Sequence, residues 1–152
     1  MSLRTKITDA MKDAMRSKDE RALATTRMII SKMRDLDIAA RPKGVDLISD
    51  EEIMAMLQGM IKQRRESIML YDKGGRADLA KQESEEITVI ERFLPQQMDE
   101  AAMIAAIDKA VAATGAAGVK DMGKVMGELK KAYTGQMDFA KAGALVKTRL
   151  AR

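Results

Sequence analysis

Residues 118–125 read "GVKDMGKV" and come within one letter of the phosphate-binding loop G-x-x-x-x-G-K-[S/T]. Gly118, Gly123 and Lys124 occupy the required places, but Val125 stands where a hydroxyl must bind Mg²⁺. The upstream segment "AVAATGAAG" has the composition of a helix end, whereas a phosphate loop is fed by a strand. A helical wheel at about 100° per residue gives a different reading. Met122, Val125, Met126, Leu129 and Tyr133 share one stripe, which is expected to be buried, while Lys120, Lys124, Gly127 and Lys131 fall opposite it. Gly123 and Lys130 lie at the flank. Val125 is then a core residue, and no nucleotide cofactor is expected.

Glycine inside a helix costs about 1 kcal/mol relative to alanine, so the bare surface at Gly123 and Gly127 needs a reason. Either a neighbouring helix or loop packs closely there, or a nucleic-acid backbone approaches with the lysines contacting phosphates. On the second reading the candidate nucleic-acid-binding residues are Lys120, Gly123, Lys124, Gly127, Lys130 and Lys131, joined by Lys147 and Arg149 near the C-terminus.

Other chemistry is narrowed by what is missing. The chain has no histidine and no cysteine, which excludes Ser-His-Asp and Cys-His catalysis, His-ligated zinc, thiolate metal sites and disulfides. Carboxylates, lysine, tyrosine and serine remain, without an evident nucleophile and base together. Glu83 and Glu86 could hold a hard cation but lack a third ligand at fixed spacing. Pairing of Lys62, Arg64 and Arg65 with Glu83, Glu85, Glu86 and Glu91 accounts for these charges more simply. No catalytic residue, metal site or cofactor is assigned.

These residues must be positioned by helices. The 152 residues include 14 methionines and two prolines, with 3% aromatics, a composition that favours helix throughout. Helices are expected from about Leu3 to Arg16, Asp19 or Glu20 to Ala39, Ser49 to Tyr71 and Asp78 to Phe93. "RPKGVDLI" forms a loop around Pro42 and Gly44, and Ser49 with Glu52 has capping-box spacing. "KGG" closes the third helix, making the third and fourth antiparallel neighbours. Pro95 disfavours helix at Leu94 and divides the chain into an N-terminal helical subdomain, residues 1–94, and a three-helix C-terminal subdomain, 95–152. The last three helices run from Asp99 to Thr114, Asp121 to Thr134 and Asp138 to Ala151, each with an aspartate as its N-cap. The fold class is all-α: a four-helix extended subdomain followed by a compact three-helix one.

The net charge of +4 is uneven: residues 118–152 hold eight basic and three acidic residues, net +5. Residues 1–34 hold nine basic and four acidic, including Arg4, Lys12, Arg16, Arg27 and Arg34, read as a solvated face. The methionines read as core packing, with a groove for a partner helix as the alternative. The longest apolar run, Ala101 to Ile107, falls far short of the ~20 residues that cross a bilayer. The start, "MSLRTKITDAMKDAMRSKDE", is unlike a secretory signal or an acid-poor transit peptide. A soluble cytoplasmic protein without membrane partners is expected.

Three blocks, "AMKDAMRSKDERALATTRMI", "IKQRRESIMLYDKGGRADLAKQESEEITVIERFLPQQM" and "DMGKVMGELKKAYTGQMDFAKAGALVKTRL", resemble successive hallmark segments of the YqeY-like proteins, the GatB/YqeY domain family. That family is similar to the helical C-terminal tail of the GatB subunit of the tRNA-dependent amidotransferase. The resemblance implies a larger N-terminal and a small three-helix C-terminal subdomain. It also implies contact with tRNA or other structured RNA, or a protein partner in translation. An association with glutamine-dependent carbon-nitrogen ligases comes with it, but nothing in this chain resembles the catalytic region of GatB. A non-catalytic tRNA-binding or accessory module is expected, with a protein-interaction adaptor as one alternative and, by the resemblance alone, a carbon-nitrogen ligase using glutamine as nitrogen donor as the other.

Overall fold

A computed structural model describes residues 2–151 and shows an all-α chain, with no strand among them. Seven α-helices carry these residues: α1 Leu3–Ser17, α2 Glu20–Ala40, α3 Asp50–Lys73, α4 Ala77–Glu91, α5 Glu100–Thr114, α6 Met122–Ala132 and α7 Phe139–Leu150. The chain divides into two compact units, one up to Pro95 and one from Gln96.

In the first unit, side chains supply the partners that the free amides of a helix start require. Ser2 accepts from Thr5 N–H and Asp19 from Ala22 N–H. Ser49 and Glu52 form a reciprocal capping box at α3, as their spacing predicts. Lys18 takes the left-handed conformation at φ 59° and ends α1, a role usually given to glycine. Beyond α2 the chain does not break at once but tightens into a 3-10 turn, Arg41–Lys43, with Pro42 in its first positions and Gly44 closing it at φ 81°. The turn after α3 uses Gly75, at φ 72°, whereas Gly74 keeps a negative φ. Helix α4 ends at Glu91, two residues before the expected Phe93, and 3-10-type bonds continue it from Phe93 N–H to Ile90 O and Leu94 N–H to Glu91 O.

The core of this unit gathers Ile7, Ile29, Met33, Ile53, Leu57, Met60 and Ile90, and α3 packs along α4 as expected of a short-linked hairpin. Two ion pairs lie inside it. Asp37 is 4% exposed and accepts both guanidinium bonds of Arg4 at 2.9 Å together with the Ile48 amide at 2.9 Å. Arg4 therefore serves the interior and not only a solvated face. Arg64, 7% exposed, donates from Nε to Glu86 at 2.8 Å, and Arg21 bonds Glu85 at 3.2 Å. Arg65 and Glu91 stand 3.6 Å apart nearer the surface.

The second unit packs α5, α6 and α7 around Met103, Ile107, Val125, Leu129, Met137 and Val146. Asp99 and Asp138 cap α5 and α7, and Gly115 closes α5 in the left-handed conformation. Met98 N–H donates to Gln136 O at 2.9 Å, tying the chain before α5 to the turn after α6. Helix α6 ends at Ala132 with Tyr133 as its cap, two residues short of the expected Thr134.

Candidate nucleic-acid interface

The residues that resembled a phosphate loop form a helix start. A 3-10 turn, Val119–Asp121, leads into α6 at Met122, so Gly123, Lys124 and Val125 are helical. Val125 and Leu129 are fully buried, and Met122, Met126 and Tyr133 pack partly buried beside them. That is the stripe the wheel predicts, and it removes Val125 from any metal chemistry.

Asp121 does not cap α6. Its side chain makes no bond to the helix start and reaches backwards, accepting from Ala117 N–H at 3.0 Å. The reason is local geometry: Asp121 closes a 3-10 turn with φ −93° and ψ 5°, not the extended conformation from which a cap side chain reaches the helix amides. The Ala117 amide, and then the charges of Lys124 and Lys120, hold the Asp121 carboxyl below the usual aspartate range. Its negative charge fixes the preceding loop and sits beside two of the candidate lysines.

The opposite side of α6 is open. Lys124, Gly127, Lys130 and Lys131 are exposed along it, as is Gly123, with Lys120 exposed in the preceding turn. A methyl group built at Gly123 or Gly127 would meet no atom within 4 Å, apart from chain neighbours and the helix's own backbone. The two glycines therefore do not serve a close helix approach. That service falls to Gly143 on α7, where a Cβ would stand 3.6 Å from Met122 Cε and 3.9 Å from Met126 Cε. Glu128, exposed beside Lys124 and Lys131, is the acidic residue of this face.

Among the described residues, Lys120, Lys124, Lys130, Lys131 and Lys147 take part in no ion pair. Arg149 differs: both its Nε and Nη2 donate to the Asp108 carboxylate of α5. It ties α7 to α5, and its charge is already partnered. Lys147 is exposed on α7. Asp108 stands 41 residues away, so no local spacing in the sequence could reveal this pairing.

No group of three or more Asp or Glu residues able to hold a metal ion occurs among the described residues. Glu83 and Glu86 share Arg64 instead, at 3.7 and 2.8 Å.

The family described as Yqey-like protein matches residues 4–150. An uncharacterized protein of Schizosaccharomyces pombe is 26% identical over 95 residues, 62% of this chain and 74% of the relative. The altered inheritance of mitochondria protein 41, mitochondrial, of Lachancea thermotolerans is 33% identical over 86 residues, 57% of this chain and 44% of the relative. Its counterpart in Eremothecium gossypii is 32% identical over 84 residues, 55% and 44%. The matched segment thus spans less than half of these two relatives, whose names place them in mitochondria and lend no support to a cytoplasmic setting for this chain.

Proposed function

The chain belongs to the YqeY-like protein family, and on that premise we propose that it is a non-catalytic helical module that binds structured RNA, tRNA foremost, through the open face of α6. The observation that carries this reading is the pair Gly123 and Gly127, bare of any neighbour and set among unpaired lysines. Without a Cβ, a helix surface admits a sugar-phosphate backbone closely, and lysine ammonium groups at its edges supply position without sequence reading. With 3% aromatic residues the chain has little with which to stack unpaired bases, which favours recognition by shape and phosphate. The resemblance to the tail of the amidotransferase GatB subunit, which engages the body of tRNA, supports the same partner. Lys120, Lys124, Lys130 and Lys131 are the contacts proposed, with Lys147 auxiliary and Arg149 withdrawn into its pair with Asp108.

Filter-binding titration of total tRNA across a salt series tests this. Binding at low salt that falls steeply with added salt, and that weakens in a Lys124→Glu, Lys131→Glu variant, is expected. No binding at low salt, or unchanged binding by the variant, overturns it. Glutaminase or aminoacyl-tRNA amidation by the purified chain alone would overturn its non-catalytic character.

A second reading, a protein-interaction adaptor, is favoured by the apolar side chains that the first unit exposes: Ile38 at 56%, Leu47 at 57%, Met69 at 60% and Leu70 at 68%. Pull-down with and without nuclease separates the two, since an RNA-bridged complex dissolves and a direct one survives.

A further inference from the structure

Arg64 is buried among α2, α3 and α4, yet it lines a cleft of about 360 Å³ with Met28, Lys32, Met60, Gln63 and Glu83. Its guanidinium is unevenly satisfied. Nε donates to Glu86 at 2.8 Å and Nη1 to the Met60 carbonyl at 3.3 Å, but Nη2 donates to the Met28 sulfur at 2.8 Å. A thioether is a weak acceptor, and a buried cation gains far more from an anionic oxygen. Met28 is also 42% exposed on a flexible, unbranched side chain, so an incoming group can displace it.

Two further charges stand around this donor. Lys32, one turn beyond Met28 on α2, is exposed and unpaired among the described residues. Glu83 lies 3.7 Å from Arg64 Nε, close enough to feel its charge but beyond hydrogen-bond reach, so its oxygens retain acceptor capacity. Burial and the neighbouring Glu86 raise the Glu83 carboxyl above the usual range, a shift that a cation arriving beside it would reverse. A simple anion would meet Glu83 as well as the two cations, and a simple cation the reverse. A molecule carrying both charges, one on each side, is matched.

We propose that this cleft binds a small zwitterion of the α-amino acid class. Its carboxylate displaces the Met28 sulfur from Arg64, with Lys32 alongside, and its ammonium group is taken by Glu83. The ligand's side chain then lies against Met28 and Met60. This site belongs to the first unit and is independent of the RNA reading.

Methyl resonances of the methionines in the full chain, assigned for Met28 and Met60, provide the test, with L-leucine as probe. Isopentylamine and 4-methylpentanoate present its amine and carboxylate halves singly, and inorganic phosphate presents a bare anion. Leucine is expected to shift both methyls saturably, with each half at least about tenfold weaker for want of one good charge-assisted hydrogen bond. Lys32→Ala and Glu83→Gln are each expected to weaken leucine by about tenfold at unchanged melting temperature. Both variants are expected to keep the fold, because Lys32 is exposed and glutamine keeps the size and an acceptor oxygen of Glu83, whose 3.7 Å contact with Arg64 is beyond hydrogen-bond reach. The absence of saturation at tens of millimolar leucine overturns the proposal. So does either half or phosphate binding as tightly as leucine, or full binding by both variants.

Discussion

In the unit up to Pro95 the interior holds charge: Asp37, Arg64 and Glu86 are each less than 8% exposed. In the unit from Gln96, every buried side chain among the described residues is apolar, and the charge lies outside. The difference separates two uses of charge. Buried ion pairs return little net stability once desolvation is counted, but they penalise any arrangement that leaves one partner alone, so they discriminate among helix pairings. The Arg64–Glu86 pair fixes α3 against α4, and Arg4–Asp37 fixes α1 against α2. In the second unit an apolar stripe on each helix does that work. Lysines on α6 are then left without an internal partner, and they are available to an external one.

Removing one member of a buried pair should produce the largest effect. Glu86→Ala strands the Arg64 guanidinium and is expected to cost about 3–5 kcal/mol. Urea unfolding followed by amide exchange should locate the loss around Ile90, with the amides of α5, α6 and α7 unchanged. Equal loss in both units would break the contrast.

Asp37→Ala leaves the buried Ile48 amide without an acceptor and is expected to cost about 2 kcal/mol. Its pH dependence sharpens the contrast. The Arg4 guanidinium, then the Ile48 amide, hold the Asp37 carboxyl below the ordinary aspartate value despite burial. A depressed value means that this stability is fully present above the unfolded pKa of about 3.9 and is lost as pH falls through the lower folded one. The gap between the natural chain and Asp37→Ala should therefore be constant at neutral pH and narrow in acid, where the neutral carboxyl loses its charge-assisted bonds to Arg4 but can still accept from the Ile48 amide. A gap that persists unchanged at low pH would remove the ion pair from the explanation.

On the outer face of the second unit, Lys124→Glu with Lys131→Glu is expected to leave stability unchanged. The variant should lower tRNA affinity about tenfold or more and flatten its salt dependence by about 0.9 in log–log slope for each phosphate it no longer neutralises. A loss of stability instead would place these lysines in the fold, as in the first unit.

Much of this architecture is legible in local pattern. The Ser49–Glu52 box, the Asp99 and Asp138 caps and the Val125–Leu129 stripe depend on spacings of three or four residues. The buried charges leave a signal that composition obscures: on α2, Asp37 continues the buried series Ala22, Thr26, Ile29, Met33. On α3, Arg64 likewise continues Ile53, Met56, Leu57, Met60, Ile61. A charged residue at the next step of an apolar stripe announces a buried partner without saying where it is. That partner lies 33 residues away for Asp37 and 22 for Arg64, beyond any local rule. Asp121 departs from its expected role because cap spacing does not reveal a preceding 3-10 turn. The glycines of α6 are bare by sequence alone, but only the arrangement of α5 and α7 shows that neither covers them.

The central claim, that the α6 face is kept bare for an RNA backbone, is tested most directly at Gly127. Stability and tRNA affinity should be measured together for Gly127→Ala, with Gly123→Ala beside it. Alanine meets no neighbour at either position, so Gly127→Ala, inside α6, is expected to be more stable by about 1 kcal/mol, and Gly123→Ala, at the second residue of the helix, by less. Weaker tRNA binding in the same variants is the expected companion of that gain; added stability with undiminished tRNA affinity would contradict the claim.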